Sequence, residues 1–379
     1  MKREKKQKAN AAASSMAPPM SDWSALPMEL VSLISQRIDT EIDLIRFRSV
    51  CSNWRSSSIP KHHLNILPFK FRSLSDSINN TLPFCYLSKR SLFLIKPPQQ
   101  TLIRRPWLVR IRQYSTGKTQ ILHPLLSYQS LYPFDSPQTI DFNELSVIHL
   151  GTDFIVDDAL LSDYMYPEKI VAFTGNEKKP IVLGGFTCTS KPVLLKLSNE
   201  NQNVIPVMST GLEDICIFKG RPYVVDKTGR TVTLGPDDLT VQLVAHSLVS
   251  GGDIKFLVES EGDLLLVDVY ESFGFDLMVN VLRLDEKERR WVNLMSLGDR
   301  VLFLGNGCSF SASASDLCVS KGNCVIFIDD AFLNFDFKNI QYGNCIFDLD
   351  HGRVSPLSDC PLEYFNLFWP PPEWIVKRS

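Results

Sequence analysis

The apolar positions of the chain follow two different periods, one before and one after about residue 60. From Leu26, large aliphatic residues recur every fourth position through Leu30, Ile34 and Ile38, which is the spacing of one helix face. Pro27 lies in the predicted first turn, where a missing N–H is tolerated. The pattern therefore predicts a helix that begins close to Leu26.

Two further short helices are predicted before residue 60. Thr40 and Asp43 resemble a capping box with Asp in the usual Glu position, so a second helix should begin near Glu41. Val50 and Trp54 belong to a third apolar face at helical spacing. Three short helices bury too little surface to be stable alone. We therefore expect their exposed apolar side chains to contact a neighbour or a partner.

After residue 60 the period changes to two, which is the period of β-strands. Strand–turn–strand patterns with polar or glycine-containing turns occur over 107–122, 222–234, 279–294 and 344–354. Such a hairpin cannot bury both of its faces alone, so its recurrence predicts a repeat architecture. No helical pattern stands out between residues 100 and 360. A β-propeller or a large sandwich is expected, and at roughly 40–45 residues per blade the length gives about six or seven blades.

Composition and termini narrow the cellular setting. No apolar run approaches the roughly 18 residues that a membrane-spanning helix needs, so we expect a soluble protein without a membrane partner. The first ten residues are charged and no apolar segment follows them, which is unlike a secretory signal. The nine cysteines are then expected to be reduced thiols. We expect the protein in the nucleus and cytoplasm.

The net charge of −2 hides an uneven distribution of charged residues. Residues 61–130 carry eleven basic residues and one acidic residue, whereas 131–379 carry 20 basic and 35 acidic residues. A basic segment beside an acidic body can bind nucleic acid. The alternating apolar pattern of 61–130 instead favours folded strands, so we expect no nucleic-acid partner. The five basic residues between Lys2 and Lys8 leave two alternatives open, a nuclear localisation signal or a solubilising tail.

The chain carries no complete catalytic or metal-binding motif that we recognise. The Gly-Lys-Thr at 117–119 lacks the earlier glycine of a P-loop, since position 112 is Arg. Cys308, Cys318 and Cys324 do not have metal-ligand spacing, and we expect buried thiols. The acidic pairs at 157–158 and 329–330 are compatible with a glycosidase, although solvated loop carboxylates are commoner. We predict no catalytic residue, no metal and no cofactor.

Residues 22–58 resemble an F-box. The family pattern of Leu-Pro, an acidic residue, spaced aliphatic residues and a final Arg-x-x-Cys-x-x-Trp-Arg matches Leu26-Pro27, Glu29 and Arg48 to Arg55. Val31 departs from the pattern, because a second Leu is usual there. An F-box completes its core on the adaptor subunit of a cullin–RING ubiquitin ligase. The resemblance implies that the adaptor is bound by Leu26, Pro27, Leu30, Ile34, Leu44, Val50 and Trp54.

The remainder resembles a plant family once called a domain of unknown function and now described as a β-propeller linked to F-boxes, the F-box/KIB-type propeller family. The resemblance is carried by Arg283-Leu-Asp285, Trp291-Val292, Gly322-Asn323-Cys324 and the segment from Pro370 to Trp374. It is close over 283–374 and looser over 80–280. It implies a mainly β fold with a small N-terminal α unit. The expected domains are a tail over 1–20, a three-helix F-box over 21–60 and a propeller over 61–379.

These features together predict a substrate-recognition subunit of an SCF-type ubiquitin ligase. The F-box would bind the adaptor, and through it cullin, while the propeller would hold an unidentified target protein. The chain itself would perform no bond chemistry, because its partners supply catalysis and it supplies proximity. Two alternatives remain. One is a non-catalytic binding scaffold that acts independently of the ligase, and the other is a propeller enzyme such as a carbohydrate hydrolase, which needs a pocket with paired carboxylates.

Overall fold

In the computed structural model of the chain, three short helices form before residue 60. They are α1 Met28–Ser35, α2 Glu41–Ser49 and α3 Ser52–Ser57. α1 begins one residue after Pro27, whose carbonyl oxygen accepts hydrogen bonds from the N–H groups of Leu30 and Val31. The Sγ atom of Cys51 caps α3 by accepting a hydrogen bond from the N–H of Trp54 at 3.4 Å. The predicted helices and the predicted start at Glu41 are confirmed.

The chain divides by its contacts into two compact units, Met1–Lys61 and His62–Ser379. The structure describes residues 23–38, 41–58, 67, 69–72, 84–97, 105–114, 119–125, 145–156, 167–175, 180–188, 191–198, 203–206, 211–252, 254–272, 277–305, 307–327, 345–368, 371–372 and 374. The predicted tail over 1–20 and both acidic pairs lie outside the described residues, as do the Gly and Lys of the Gly-Lys-Thr motif. The assignment of functions to the expected domains stays a prediction.

The second unit starts with a nine-stranded antiparallel sheet. Its strands are β1 Lys70–Arg72, β2 Phe84–Lys96, β3 Trp107–Gln113, β4 Thr119–Leu122, β5 Ser146–Val156, β6 Pro167–Thr174, β7 Pro180–Cys188, β8 Lys191–Leu197 and β9 Asn203–Ile205. They lie in the order β4-β3-β2-β5-β6-β7-β8-β9, and β1 pairs with β2. A single residue pair, Phe154 with Ile170, joins β5 to β6. The sheet therefore divides into two strand groups, β1 to β5 and β6 to β9, which meet where β5 lies beside β6.

Three further sheets follow in the chain. Their strands are β10 Leu212–Phe218, β11 Arg221–Asp226, β12 Thr231–Leu234 and β13 Val241–Ala245; β14 Ile254–Ser260, β15 Asp263–Glu271, β16 Leu277–Asp285 and β17 Arg290–Asn293; and β18 Arg300–Leu304, β19 Phe310–Ser313, β20 Cys324–Phe327, β21 Cys345–Asp348 and β22 Arg353–Pro356. The first two sheets are meanders in chain order. In the last sheet β18 runs parallel to β20, and the order is β19-β18-β20-β21-β22.

Two short helices accompany the last sheet, α4 Ala314–Leu317 between β19 and β20, and α5 Leu362–Phe365 after β22. The sequence predicted no helix between residues 100 and 360, so α4 corrects that expectation. A helix of four residues is too short to show an apolar period. Its start is fixed instead by Ser313, whose Oγ accepts a hydrogen bond from the N–H of Asp316 at 3.0 Å.

The four predicted hairpins are confirmed as β3–β4, β11–β12, β16–β17 and β21–β22. The turn between β11 and β12 shows why the sequence specifies them. The Oδ1 atom of Asp226 accepts hydrogen bonds from the N–H groups of Thr228 and Arg230. Gly229 follows with φ of 83°, a conformation that strongly favours glycine. Asp and Gly at these places therefore close the turn.

The innermost strands of the groups lie around a ring. β5 pairs with β6, β6 contacts β10, β10 contacts β14, β14 contacts β19, and β19 contacts β5 again. This closed order of neighbours is the arrangement of a β-propeller. The described strands form five groups, fewer than the six or seven blades that the length predicts. Long strands such as the 13-residue β2 use more chain per group than the assumed repeat.

Apolar layers between neighbouring groups hold the ring together. Between the first and last groups, Leu92, Leu94 and Leu108 form one cluster with Phe303 and Phe310. The rings of Phe303 and Phe310 stack with centroids 4.6 Å apart. Fully burying one such side chain contributes about 1.5–3 kcal/mol relative to exposure. The closure of the ring is therefore an apolar interface of the same kind as the layers between the other groups.

Candidate functional site

The first candidate site is an apolar face on α1. Val31 and Ser35 are buried, whereas Leu30 and Ile34 are 46% and 42% exposed. Met28 and Leu33 are also exposed. Residues three and four positions apart lie next to each other on a helix, so Leu30, Leu33 and Ile34 form one patch. Met28 is exposed on another side of the helix, because residues two positions apart do not lie next to each other. We call Leu30, Leu33 and Ile34 the α1 face. Of the predicted stripe, Leu30 and Ile34 are exposed on α1, Leu26 and Ile38 are half-buried beyond its ends, and the helix packs through Val31.

The predicted adaptor-binding residues differ in their accessibility. Pro27, Leu30, Ile34 and Val50 are exposed, Leu26 and Trp54 are half-buried, and Leu44 is buried with 5% exposure. Leu44 is thus available to a partner only after rearrangement. The role of all seven residues in adaptor binding stays a prediction. Sequence reasoning did not select Leu33, although it lies three positions after Leu30 and directly before Ile34.

Trp54 fixes the third helix against its neighbours. Its ring lies 4.4 Å from that of Phe47, measured between centroids. Its Nε1–H donates a hydrogen bond to the carbonyl oxygen of Trp23 at 3.1 Å. A Trp held by both packing and a hydrogen bond braces the unit rather than presenting a free surface. We therefore read Trp54 as a residue that supports the exposed apolar side chains around it.

The second candidate site is a cavity of about 450 Å³ in the propeller. It opens where β14 and β19 end and β5 begins. Its apolar lining consists of Leu94, Ile148, Leu150 and Ala312. Its polar lining consists of His149, Glu259, Glu261, Arg300, Ser311 and Asp316, together with the backbone at Gly151. The first strand group, the group of β14 to β17 and the last group all contribute lining residues. The cavity therefore exists only when the ring is closed.

The charged groups of the cavity differ in how they are paired. Arg300 Nε donates to Ser311 Oγ at 2.9 Å and lies 3.8 Å from Glu261 Oε1. Asp316 Oδ1 accepts a hydrogen bond from Lys96 Nζ at 2.5 Å, and this hydrogen bond holds the Asp316 pKa below its usual value. Glu259 is exposed and has no ion pair within the described part of the chain. The cavity is therefore lined by more negative than positive groups.

A buried cluster of charges lies between β2, β3 and β5. Arg90 and Asp153 form a buried ion pair, with Arg90 Nε to Asp153 Oδ1 at 3.2 Å. Arg110 is wholly buried, and among the described residues its Nε, Nη1 and Nη2 have no oxygen or nitrogen as a hydrogen-bond acceptor. Burial lowers the Arg110 pKa, nearby Arg90 adds to that effect, and Asp153 and the Cys308 thiol oppose it. Arg110 is thus a buried cation whose contact with the Cys308 sulfur is a weak substitute for an oxygen acceptor.

The basic segment of the sequence is largely built into strands. Arg90, Arg110 and Arg112 are all buried, and Lys96 is paired with Asp316. The three arginines are thus inside the propeller and Lys96 is neutralised by a carboxylate, so these four charges do not form a solvated surface that could follow a phosphate backbone. The expectation that residues 61–130 fold as strands is met by β1 to β4. The absence of a nucleic-acid partner stays a prediction.

The cysteines of the last group fall in different environments. Cys308 and Cys324 are buried, and burial raises the pKa of the Cys324 thiol to about 12. Cys318 is exposed, which corrects the expectation of a buried thiol; it ends α4 in the left-handed conformation with φ of 54°. No cluster of three or more potential metal ligands occurs among the described residues. Within that same set, no helix is long and apolar enough to cross a membrane.

The amino-acid sequence is similar to those of F-box proteins from a plant. The sequence model of the KIB1-4 β-propeller family matches residues 84–348. F-box protein SKIP23 of Arabidopsis thaliana is 34% identical over 95% of this chain and 97% of its own length. F-box protein At2g17036 of the same plant is 30% identical over 94% and 95%. A solved structure of an apocarotenoid oxygenase of Synechocystis aligns with 76% of this chain and 80% of the oxygenase chain, at 10% sequence identity and a TM-score of 0.27.

Proposed function

Because this chain belongs to the KIB1-4 β-propeller family and is similar to F-box proteins over nearly its whole length, we propose that it is the substrate receptor of an SCF-type ubiquitin ligase. The helical unit binds the adaptor and through it cullin. The propeller binds a target protein. The observation that carries this proposal is the α1 face, where Leu30 and Ile34 are largely exposed on a helix that packs through Val31.

Physical reasoning favours a partner on that face. The three side chains of the α1 face form a contiguous apolar patch in a unit of only three short helices. Burying such side chains in a partner contributes about 1.5–3 kcal/mol for each one fully buried. Contiguous exposed apolar residues on a small unit mark an interaction site. Adaptor binding therefore completes an apolar core that the chain leaves open.

We propose that the propeller holds its target without bond chemistry. A glycosidase needs a carboxylic acid with a raised pKa beside a second carboxylate. In the cavity the pKa of Asp316 is lowered, mainly by the hydrogen bond from Lys96, and Glu261 is paired with Arg300. These two carboxylates suit a binding surface rather than a general acid. Catalysis then comes from the ubiquitin-loaded partners, which the receptor brings close to lysines of the target.

The test compares the intact chain with a deletion of residues 21–60. Both forms are fused to a proximity-labelling enzyme and expressed with a proteasome inhibitor. We expect both forms to label the target, because the propeller is unchanged. Only the intact form should label the adaptor and cullin and increase ubiquitin on the target. If both forms label the same proteins with the same ubiquitin content, the scaffold alternative is correct instead.

We also propose that the protein is shared between nucleus and cytoplasm, with the basic residues from Lys2 to Lys8 directing the nuclear part. A fluorescent fusion without residues 1–10 tests this proposal. We expect a lower nuclear signal than that of the full chain. A matched fusion in which these five basic residues are replaced by Gln controls for length. An unchanged nuclear signal in both fusions would leave the segment as a solubilising tail.

A further inference from the structure

We propose that the propeller cavity binds a lysine or arginine side chain of the target protein. The proposal rests on the proposed function, in that the propeller is taken to hold a target. It goes further by assigning the cavity as the contact point and a cationic side chain as the group recognised. Three observations support it: the shape of the cavity, the pairing of the charged residues that line it, and the net negative charge of residues 131–379.

The cavity has the form that a long cationic side chain needs. Its volume of about 450 Å³ falls within the range of ligand-binding pockets. Leu94, Ile148 and Leu150 supply an apolar wall from the first strand group, and Ala312 adds to it from the last. Lys and Arg bury their methylene stems on apolar surface while the charged head reaches polar groups. The apolar and the carboxylate parts of the lining suit these two parts of the side chain.

The charges of the lining select a cation. Three carboxylates line the cavity, from Glu259, Glu261 and Asp316, against one guanidinium from Arg300. Arg300 pairs with Glu261, and Lys96 pairs with Asp316. Glu259 therefore remains the carboxylate without an ion pair among the described residues. An entering Arg or Lys head would supply that pair, whereas an anion would add to an existing negative excess.

One carboxylate of the lining, that of Glu261, lies in a tight turn. Ser260 pairs with Asp263 across the hairpin of β14 and β15, so Glu261 and Gly262 form a two-residue turn. Both turn residues have positive φ, 53° for Glu261 and 81° for Gly262, as this tight hairpin turn requires. Asn or Asp is preferred over Glu at the first of these positions. The turn thus contributes a longer carboxylate to the cavity lining in spite of an unfavourable backbone conformation.

The surrounding body favours a basic partner at longer range. Residues 131–379, which form four of the five strand groups, carry 35 acidic and 20 basic residues. A negative body attracts a positively charged partner and raises its rate of association, most strongly at low ionic strength. Metal binding is a weaker explanation of the acidic lining, since no three potential ligands converge among the described residues. A basic segment of the target protein fits both the local and the overall charge.

The experiment uses the full chain purified with its adaptor and immobilised on beads. Four peptide libraries are offered, with Arg, Lys, Gln or Glu fixed at the centre and randomised flanking positions. We expect the Arg and Lys libraries to be retained at least tenfold more than the Gln library, and the Glu library least. Glu259→Gln combined with Glu261→Gln should remove this preference. Arg300→Gln leaves Glu261 without its ion pair and should strengthen the preference for the Arg and Lys libraries.

Controls separate the cavity from the general charge of the protein. Glu286→Gln combined with Glu288→Gln makes the same change of two charges at an exposed turn, where Glu286 pairs with Lys219, and it should leave the preference intact. Melting temperatures confirm that each variant is folded. Equal retention of the Arg and Gln libraries, or a preference that survives the double Glu variant, would overturn the cavity proposal. Adaptor recovery is measured on the same beads, so a missing adaptor contradicts the proposed function alone.

Discussion

The indole Nε1–H of Trp374 donates a hydrogen bond to the backbone carbonyl oxygen of Arg105 at 3.1 Å. Nearby, the N–H of Leu108 donates to the carbonyl oxygen of Leu367 at 3.0 Å. Both bonds join the C-terminal segment to the strand group that opens the propeller. The C-terminal segment therefore contacts the first strand group as well as the last. It lies where these two groups meet and the ring closes.

Deletion of residues 360–379 is predicted to destabilise the whole propeller. The deletion removes Tyr364, Leu367 and Phe368, which are buried in the cluster between the first and last groups. Losing one large core side chain costs about 2–5 kcal/mol. Circular dichroism during heating should show one cooperative transition at a much lower temperature. Trp374→Phe, which removes only one hydrogen bond, should cost about 1 kcal/mol. A proteolytic core ending at 359 with an unchanged melting temperature would contradict the role of this segment.

Replacing Arg110 by Met is predicted to stabilise the protein. The guanidinium is buried and finds no oxygen or nitrogen acceptor among the described residues, and leaving a polar group in this state costs about 1–3 kcal/mol. Met has a similar length and no charge, so the variant should unfold at a higher urea concentration. Arg90→Met is the matched control, because it leaves the buried carboxylate of Asp153 without its cation and should cost about 3–5 kcal/mol. Equal destabilisation by both substitutions would show that Arg110 has a favourable partner.

Stability is predicted to fall as pH decreases below about 6.5 through His123. Burial and then the charge of Arg110 lower the His123 pKa to about 4, from 6.5 in the unfolded chain. The unfolded state therefore binds the proton more readily between these values, and folding loses free energy as pH falls. From pH 7 to pH 5 the loss should be about 2 kcal/mol at this site. Urea unfolding of His123→Gln should show a pH dependence smaller by that amount, and an identical dependence would contradict the assignment.

The hairpins of the propeller could be predicted because the residues that specify each one lie close together in the sequence. Asp226 and Gly229 specify one turn by a side-chain hydrogen bond and a positive φ. Alternation of apolar residues specifies the strands on both sides of such a turn. Blade number depends instead on which distant strands become neighbours. The local sequence pattern does not predict that β19 contacts β5, or that Phe154 and Ile170 pair β5 with β6.

The sites were only partly predictable for a similar reason. The spacing of Leu30 and Ile34 predicted a helix, but its period alone does not decide whether that stripe points inward or outward. The structure settles this point, because Val31 occupies the buried side. The cavity was not predicted, since its lining comes from segments as distant as Leu94 and Asp316. Only the closed ring brings these residues together, and no motif marks them.

The central claim is that the α1 face binds the ligase adaptor. Its most direct test is co-purification of the adaptor with the double variant Leu30→Ala and Ile34→Ala. Both side chains are exposed in the chain, so the variant should keep the melting temperature of the wild type. The control variant truncates two other exposed apolar residues, Val249→Ala and Met295→Ala in the propeller. It makes the same kind of change away from the helical unit.

We expect adaptor recovery to fall at least tenfold with the Leu30 and Ile34 variant, since each 1.4 kcal/mol of lost contact weakens binding about tenfold. The control variant should recover as much adaptor as the wild type. Leu26→Ala combined with Pro27→Ala should also lose the adaptor, because Pro27 fixes the start of α1. Wild-type recovery of adaptor by the Leu30 and Ile34 variant, with its fold intact, would contradict the receptor account.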